Sequence, residues 1–231
     1  MSLRNVIEVQ TGVVIVISLL ALSAAAQDKK EFTYTVGPKA VVSITNNYGP
    51  ITVKPSGSRQ VLVEVVSHSD AVSLVNEQHE NRIELRSAST RSGTNQVDYT
   101  VLVPVDAFVS LRSSDGTLRA QGLRGDVILE AAAASVEVNS GSGQISYDGD
   151  PGRMGEYLLT SHSGDLNISI PANAWVNIKA RSVQGQSDPD FPVANSFTSG
   201  GTGNLLLNPG MVTGSRFELR SFRGKIHLKR P

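Results

Sequence analysis

LTSHSGDLNI, residues 159–168, places Ser161, His162, Ser163 and Asp165 within five positions. Serine, histidine and aspartate are the side chains of a hydrolytic triad, but the stretch also reads as a strand, a tight turn and a strand. Apolar Leu159 lies five positions before Gly164, and Leu166 and Ile168 lie two and four after it. Such alternation turns one face of each strand into a core. Glycine supplies the positive φ that a short turn often requires. Neighbours on an extended strand point to opposite faces, so Ser161 and His162 would not meet as nucleophile and base.

The same frame recurs along the chain. Around Gly49 it holds Val42, Ile44, Ile51 and Val53; around Gly116, Val109, Leu111, Leu118 and Ala120. Around Gly143 it holds Val136, Val138, Ile145 and Tyr147; around Gly224, Phe217, Leu219, Ile226 and Leu228. Gly185 keeps the incoming half and loses the outgoing one, while Gly125 and Gly203 fit in part. Three before the glycine stands Ser113, Ser140, Ser161, Ser182 or Ser221, with Asn46 in the first copy, a short polar side chain able to bond back to the turn. The columns of His162 and Asp165 show no such preference: Asn47, Ser114, Gly141, Val183 and Phe222 share the first. The turn reading is therefore preferred over the catalytic one.

From Gly125 the anchor glycines fall at 143, 164, 185, 203 and 224, a period near 20. Two strands per period predict an all-β fold, a stacked β-solenoid or β-roll in which each unit buries its apolar face on the next. Gly116 and Gly125 lie nine apart, which predicts turns at both ends of a flattened rung, the opposite ends being YDGDPG (147–152), PANA (171–174) and SDPDFP (187–192). VPVDAFVSL (103–111) repeats as IPANAWVNI (170–178), and the alignment of Trp175 with Phe108 assigns the sole tryptophan to the core. Strands before Val103 are less regular and are expected to form a wider sheet on the same stack. An antiparallel sandwich is the chief rival. The one helix candidate is 70–78, DAVSLVNEQ.

The N-terminus carries Arg4, then an apolar run ending on Ala24, Ala25 and Ala26, the layout of a signal peptide cut before Gln27. Residues 1–26 are read as that leader and 27–231 as one β-roll domain, with irregular strands over 27–103 and regular repeats over 104–231. An uncleaved anchor is the alternative, although the apolar run falls short of the roughly 20 residues a spanning helix needs. The chain is thus expected to be exported, whether periplasmic, surface-bound or secreted, with no membrane span once the leader is removed. It has no cysteine, which excludes disulfides and thiolate metal sites. Its 21 Lys and Arg balance 21 Asp and Glu, leaving no electrostatic argument for nucleic acid or anionic lipid.

Other motifs fail on spacing. His79-Glu80 begins a zinc-protease signature, but Ile83 stands where the second histidine is needed. GGTGNLLL (200–207) has Leu205 in place of the aspartate of a calcium-binding roll. Asp148, Asp150, Asp188 and Asp190 are oxygen ligands at suitable spacing, yet aspartate is common in turns anyway, and no metal or cofactor is expected. Asn167 heads a glycosylation triplet on an expected strand.

The serine-to-glycine turns, the VP-x-D and IP-x-N strand ends and the closing FELRSFRGKIHLKR together resemble the bacterial putative adhesin family, an envelope-associated β-repeat domain of unknown function. The likeness covers roughly residues 36–229. It implies a stacked β-roll outside the cytoplasm, linked by analogy to adhesion or envelope-stress sensing, and carries no catalytic residues. The expected function is a non-enzymatic binding or structural module of the cell envelope with an envelope or extracellular macromolecule as partner. The alternatives are a stress-sensor component acting through a membrane partner and a polysaccharide-active β-helix enzyme. Outward positions four before the turn glycines include Arg112, Arg181 and Arg220, candidate binding residues that the inferred stacking order keeps apart.

Overall fold

The computed structural model describes residues 28–89, 95–131, 135–171, 173–189, 196–197, 204–207 and 214–229. The leader, Gly203 and Asp190 lie outside them. The described residues are all-β, without a helix. The N-terminal strands are β1 (Asp28–Thr35), β2 (Val41–Tyr48), β3 (Ile51–Ser56), β4 (Gln60–Ser67), β5 (Val72–His79), β6 (Arg82–Ser89) and β7 (Val97–Pro104). There follow β8 (Phe108–Asp115), β9 (Thr117–Leu123), β10 (Val127–Ala131), β11 (Ser135–Ser140), β12 (Ile145–Asp148), β13 (Glu156–Ser161) and β14 (Leu166–Ser169). The last are β15 (Val176–Ser182), β16 (Ser187–Pro189), β17 (Ser196–Phe197), β18 (Asn204–Leu207), β19 (Ser215–Ser221) and β20 (Ile226–Lys229).

These strands build two mixed sheets. The larger runs β1-β4-β7-β3-β9-β11-β13-β19-β15-β18-β17 and the smaller β16-β20-β14-β12-β10-β8-β2-β6-β5. Each glycine-centred unit gives one strand to each sheet, so that β13 and β14 flank Gly164 and β19 and β20 flank Gly224. Neighbouring units pair in parallel and in register, Leu159 on Leu219 in one sheet and Leu166 on Ile226 in the other. The inward apolar positions of both sheets form one core, in which Tyr147, Tyr157 and Phe217 make the aromatic centre. Tyr157 and Phe217 stack at 4.2 Å, and Tyr147 meets both edge-on. Burial pushes the Tyr147 phenol far above its ordinary range.

The ends of the stack differ from its middle. Strands β1, β4 and β7 pair antiparallel, as do β5 with β6 and β15 with β18. The 70–78 stretch is strand β5 rather than a helix. It pairs with β6 from Val72↔Ser89 to His79↔Arg82, and the hairpin turns at Glu80, whose φ is 52°. The ladder against β6 takes up the backbone groups along one side of this edge strand, which overrides a weak helical pattern. At the other end β16 is three residues long and stops at Pro189, which has no N–H to offer a further strand.

The turns stand at both ends of a flattened rung, as the nine-residue spacing of Gly116 and Gly125 predicts, and two other expectations about them need correction. Gly49 and Gly116 lie where the chain passes from the smaller sheet to the larger, whereas Gly125, Gly143, Gly164, Gly185 and Gly224 lie at the opposite edge. Only Gly49 and Gly116 among these have positive φ, at 110° and 145°. The others are glycine for space. A Cβ on Gly143 would stand 2.0 Å from the carbonyl oxygen of Gly125, on Gly164 2.0 Å from that of Gly143, and on Gly224 2.1 Å from that of Gly164. Units therefore stack turn on turn through backbone contact. The order of stacking also departs from the order of the chain. The Gly224 unit lies between those of Gly164 and Gly185, β19 pairing with both β13 and β15, and β20 with both β14 and β16.

Three members of the serine column bond back to their own turns, while the buried Ser113 and Ser221 hydroxyls have no partner among the described residues. Buried Ser161 and Ser182 accept hydrogen bonds from the Gly164 and Gly185 amides at 2.9 and 3.0 Å, and Ser140 donates to the Gly143 carbonyl at 3.1 Å.

Candidate functional site

The opening polar cluster is pulled apart by its turn. The Ser161 hydroxyl is buried against the Gly164 amide, and the His162 ring lies outside, stacked on Phe222 at 5.1 Å. Asp165 accepts a hydrogen bond from the Lys225 amide at 2.7 Å, tying its turn to the next one. Among the described residues no hydrogen bond joins these three side chains. His79 and Glu80 sit at the β5–β6 hairpin, and Asp150 accepts from the Gly152 amide at 2.9 Å. Among the described residues no group of three or more His, Asp or Glu is placed to hold a metal ion. The side chains of Asp188 and Asp190 lie outside them.

The outward face of the larger sheet is where polar groups gather. Alternation puts Arg119 on β9, Glu137 on β11, Glu156 and Thr160 on β13, Arg216, Glu218 and Arg220 on β19, and Lys179 and Arg181 on β15 outside the core. Arg119 pairs with Glu137 at 2.9 Å and Arg220 with Glu218 at 2.5 Å. Glu156, Arg216, Lys179 and Arg181 form no ion pair among the described residues. Three depressions cross this face, of about 470, 470 and 410 Å³. The first shares Glu218 with the second and Glu156 and Arg216 with the third, so the three lie in a row with the first between the other two. Strand β19 floors the whole track, with Arg216, Glu218 and Arg220 in succession along it.

The three candidate arginines fall on two faces. Arg112 lies on β8 in the smaller sheet, paired with Glu130 at 2.5 Å. Arg181 and Arg220, expected to be apart, are direct register partners on β15 and β19. The correction follows from the insertion of the Gly224 unit. Like charges side by side repel; Glu218 offsets one of them and leaves Arg181 open.

Trp175 is also misplaced by its alignment with Phe108. It is 54% exposed and lies just before β15, with the Arg153 guanidinium 6.0 Å from its ring. With Arg153, Met154, Glu156 and Arg216 it lines the third depression. Sequence reasoning passed over this group. A lone tryptophan one residue before a strand, with Met154 in a Gly/Pro-rich turn, is the only hint the chain offers. Nothing in the sequence brings Trp175 beside Arg216.

No family model matches the chain, and no curated protein matches it. Two solved structures are similar over 88% of it. One is a putative cell adhesion protein from Clostridium sporogenes, 15% identical, covered along 100% of its length, with a TM-score of 0.35. The other is a putative adhesin from Bacteroides fragilis, 10% identical, covered along 98%, with a TM-score of 0.30. Among the described residues no helix is long and apolar enough to cross a membrane.

Proposed function

We propose that the protein is an exported, non-enzymatic, adhesin-like binding or structural module of the cell envelope, its strand pairs stacked as a β-solenoid. The larger sheet presents its outward face to an envelope or extracellular macromolecule. The observation that carries this reading is the track along β19: three depressions in a row, bordering one another at Glu156, Arg216 and Glu218, suit an extended ligand better than a small enclosed one. A parallel stack supports it physically. Inward positions are held by packing, and outward ones are free to meet a partner on a rigid surface.

The test is capture of partners from envelope fractions by residues 27–231. Alanine at Arg181 and Arg220 together should weaken capture, while Arg112→Ala on the opposite sheet should not. Equal capture by all three proteins would remove the larger sheet's face from the reading.

The non-enzymatic part has its own measurement. Alanine at Ser161, His162 and Asp165 together should cost about 2 kcal/mol, from two lost turn hydrogen bonds. It should change no hydrolytic activity of the preparation. Loss of a polysaccharide- or ester-cleaving activity in this variant, with the fold intact by circular dichroism, would make the chain an enzyme.

A further inference from the structure

We propose that the end of the track at Trp175 is a subsite for an acidic sugar, a pyranose bearing a carboxylate. This rests on reading the outer sheet face as a binding surface and names the ligand class that one part of it takes.

Three separate segments meet here: the 150–156 turn and strand start, Ala174–Val176, and Gly214–Arg216. They are tied together from below. Ser215, fully buried, accepts from the Gly155 amide at 2.8 Å, and its hydroxyl lies 2.7 Å from the Pro151 carbonyl and 3.1 Å from that of Gly152. The Tyr157 hydroxyl donates to the same Pro151 carbonyl at 3.1 Å. The Ser215 amide donates to the Trp175 carbonyl and the Arg216 amide to that of Gly155, each at 2.9 Å. A side chain on Gly155 would strike the Tyr157 ring at 2.4 Å, so the turn sits directly on the aromatic centre of the core. The backbone beneath the depression is thus preorganised, and the groups it presents are not used by the fold.

Those groups are Trp175, half-exposed; Met154, 92% exposed; and Arg153, Arg216 and Glu156, none of them in an ion pair among the described residues. Glu156 and Arg216 are register partners, yet no salt bridge closes between them. The depression, about 410 Å³, falls within the roughly 300–1,000 Å³ of small-ligand sites. An exposed indole offers a flat face whose negative quadrupole favours the C–H face of a sugar ring. Two arginines against one glutamate leave a net positive charge, and a guanidinium fork matches a carboxylate. Glu156 can accept from a ring hydroxyl. Arg153 touches the indole only at the outer limit of a cation–π contact, so it can turn to the ligand.

The probe is trigalacturonate, titrated into residues 27–231. Trp175 is the sole tryptophan, so its emission reports this site alone. Saturable binding with a shift in that emission is expected, weakened about tenfold or more when the three carboxylates are methyl-esterified or in Arg216→Ala. Trp175→Ala, read by calorimetry, should lose binding with its melting temperature kept, and Arg112→Ala should bind as the parent does. Unaltered affinity in Trp175→Ala would overturn the site. Equal binding of the methyl ester would overturn the acidic specificity, and tighter binding of hexaglutamate would make this an acidic-peptide site instead. Failure of trigalacturonate with envelope capture intact sinks this inference alone; capture unchanged by alanine at Arg181 and Arg220 sinks the broader reading.

Discussion

Ile226→Asp is expected to cost on the order of 4 kcal/mol and to lower the melting temperature by roughly 10 °C or more. Ile226 is fully buried on β20, with Leu166 on one side in register and Ser187 on the other. A carboxylate there has lost its water, and the position belongs to an inward apolar row of the smaller sheet. Burial raises the pKa of the introduced acid, so the unfolded chain gives up its proton first and the deficit grows as pH rises above about 4. Two comparisons isolate the cause. Ile226→Val should cost only about 1 kcal/mol, and Lys229→Asp, on the same strand but exposed beside Ser169, should stay within about 0.5 kcal/mol of the parent. Urea titration of the three variants measures this; an unchanged midpoint for Ile226→Asp would remove the residue from the core.

Gly164→Ala is expected to cost about 3 kcal/mol although it adds a single methyl group. The φ of Gly164 is one that other residues adopt, so the loss is not conformational in origin. The added carbon would lie 2.0 Å from the Gly143 carbonyl oxygen and 2.5 Å from its carbon, and backbone on both sides must part to admit it. Separation there strains the turn contacts on either side, because Gly164 itself carries Gly224 above it at a similar distance. Gly57→Ala is the control. It lies in the β3–β4 turn with nothing within 4 Å of a new Cβ and should leave thermal stability within about 0.5 kcal/mol. Equal effects at the two positions would show that the turn stack tolerates side chains and would undo the close-contact explanation.

The architecture was legible in the sequence wherever local rules decide it. Leu159, Leu166 and Ile168 about Gly164, and their counterparts about Gly224, alternate with a period of two, and that period alone sends them inward. The serine three before a turn glycine is legible for a similar reason, since a short polar side chain there can reach its own turn, as Ser140, Ser161 and Ser182 do; that Ser182 also donates to the Gly224 carbonyl depends on the stacking. The 70–78 stretch misleads because its backbone pairs with a partner strand that no local pattern announces. Trp175 misleads because its counterpart Phe108 is itself only half-buried, an outward position beside inward Val109, so the alignment carries over an outward place and not a core one.

Sequence by itself determined that the glycine-centred units among the described residues are strand pairs, which of their residues face inward, and where their turns stand. Only the tertiary structure decided which unit stacks on which. Units with the same apolar positions and the same turn glycine present nearly equivalent surfaces to a neighbour, so the order of the chain does not dictate the order of the stack. The Gly224 unit takes the place between the Gly164 and Gly185 units that precede it in the chain. That choice sets Arg220 beside Arg181 and closes Arg216 against the Trp175 turn. Both juxtapositions depend on contacts between residues roughly 40 apart in the chain, which alternation and turn chemistry do not specify.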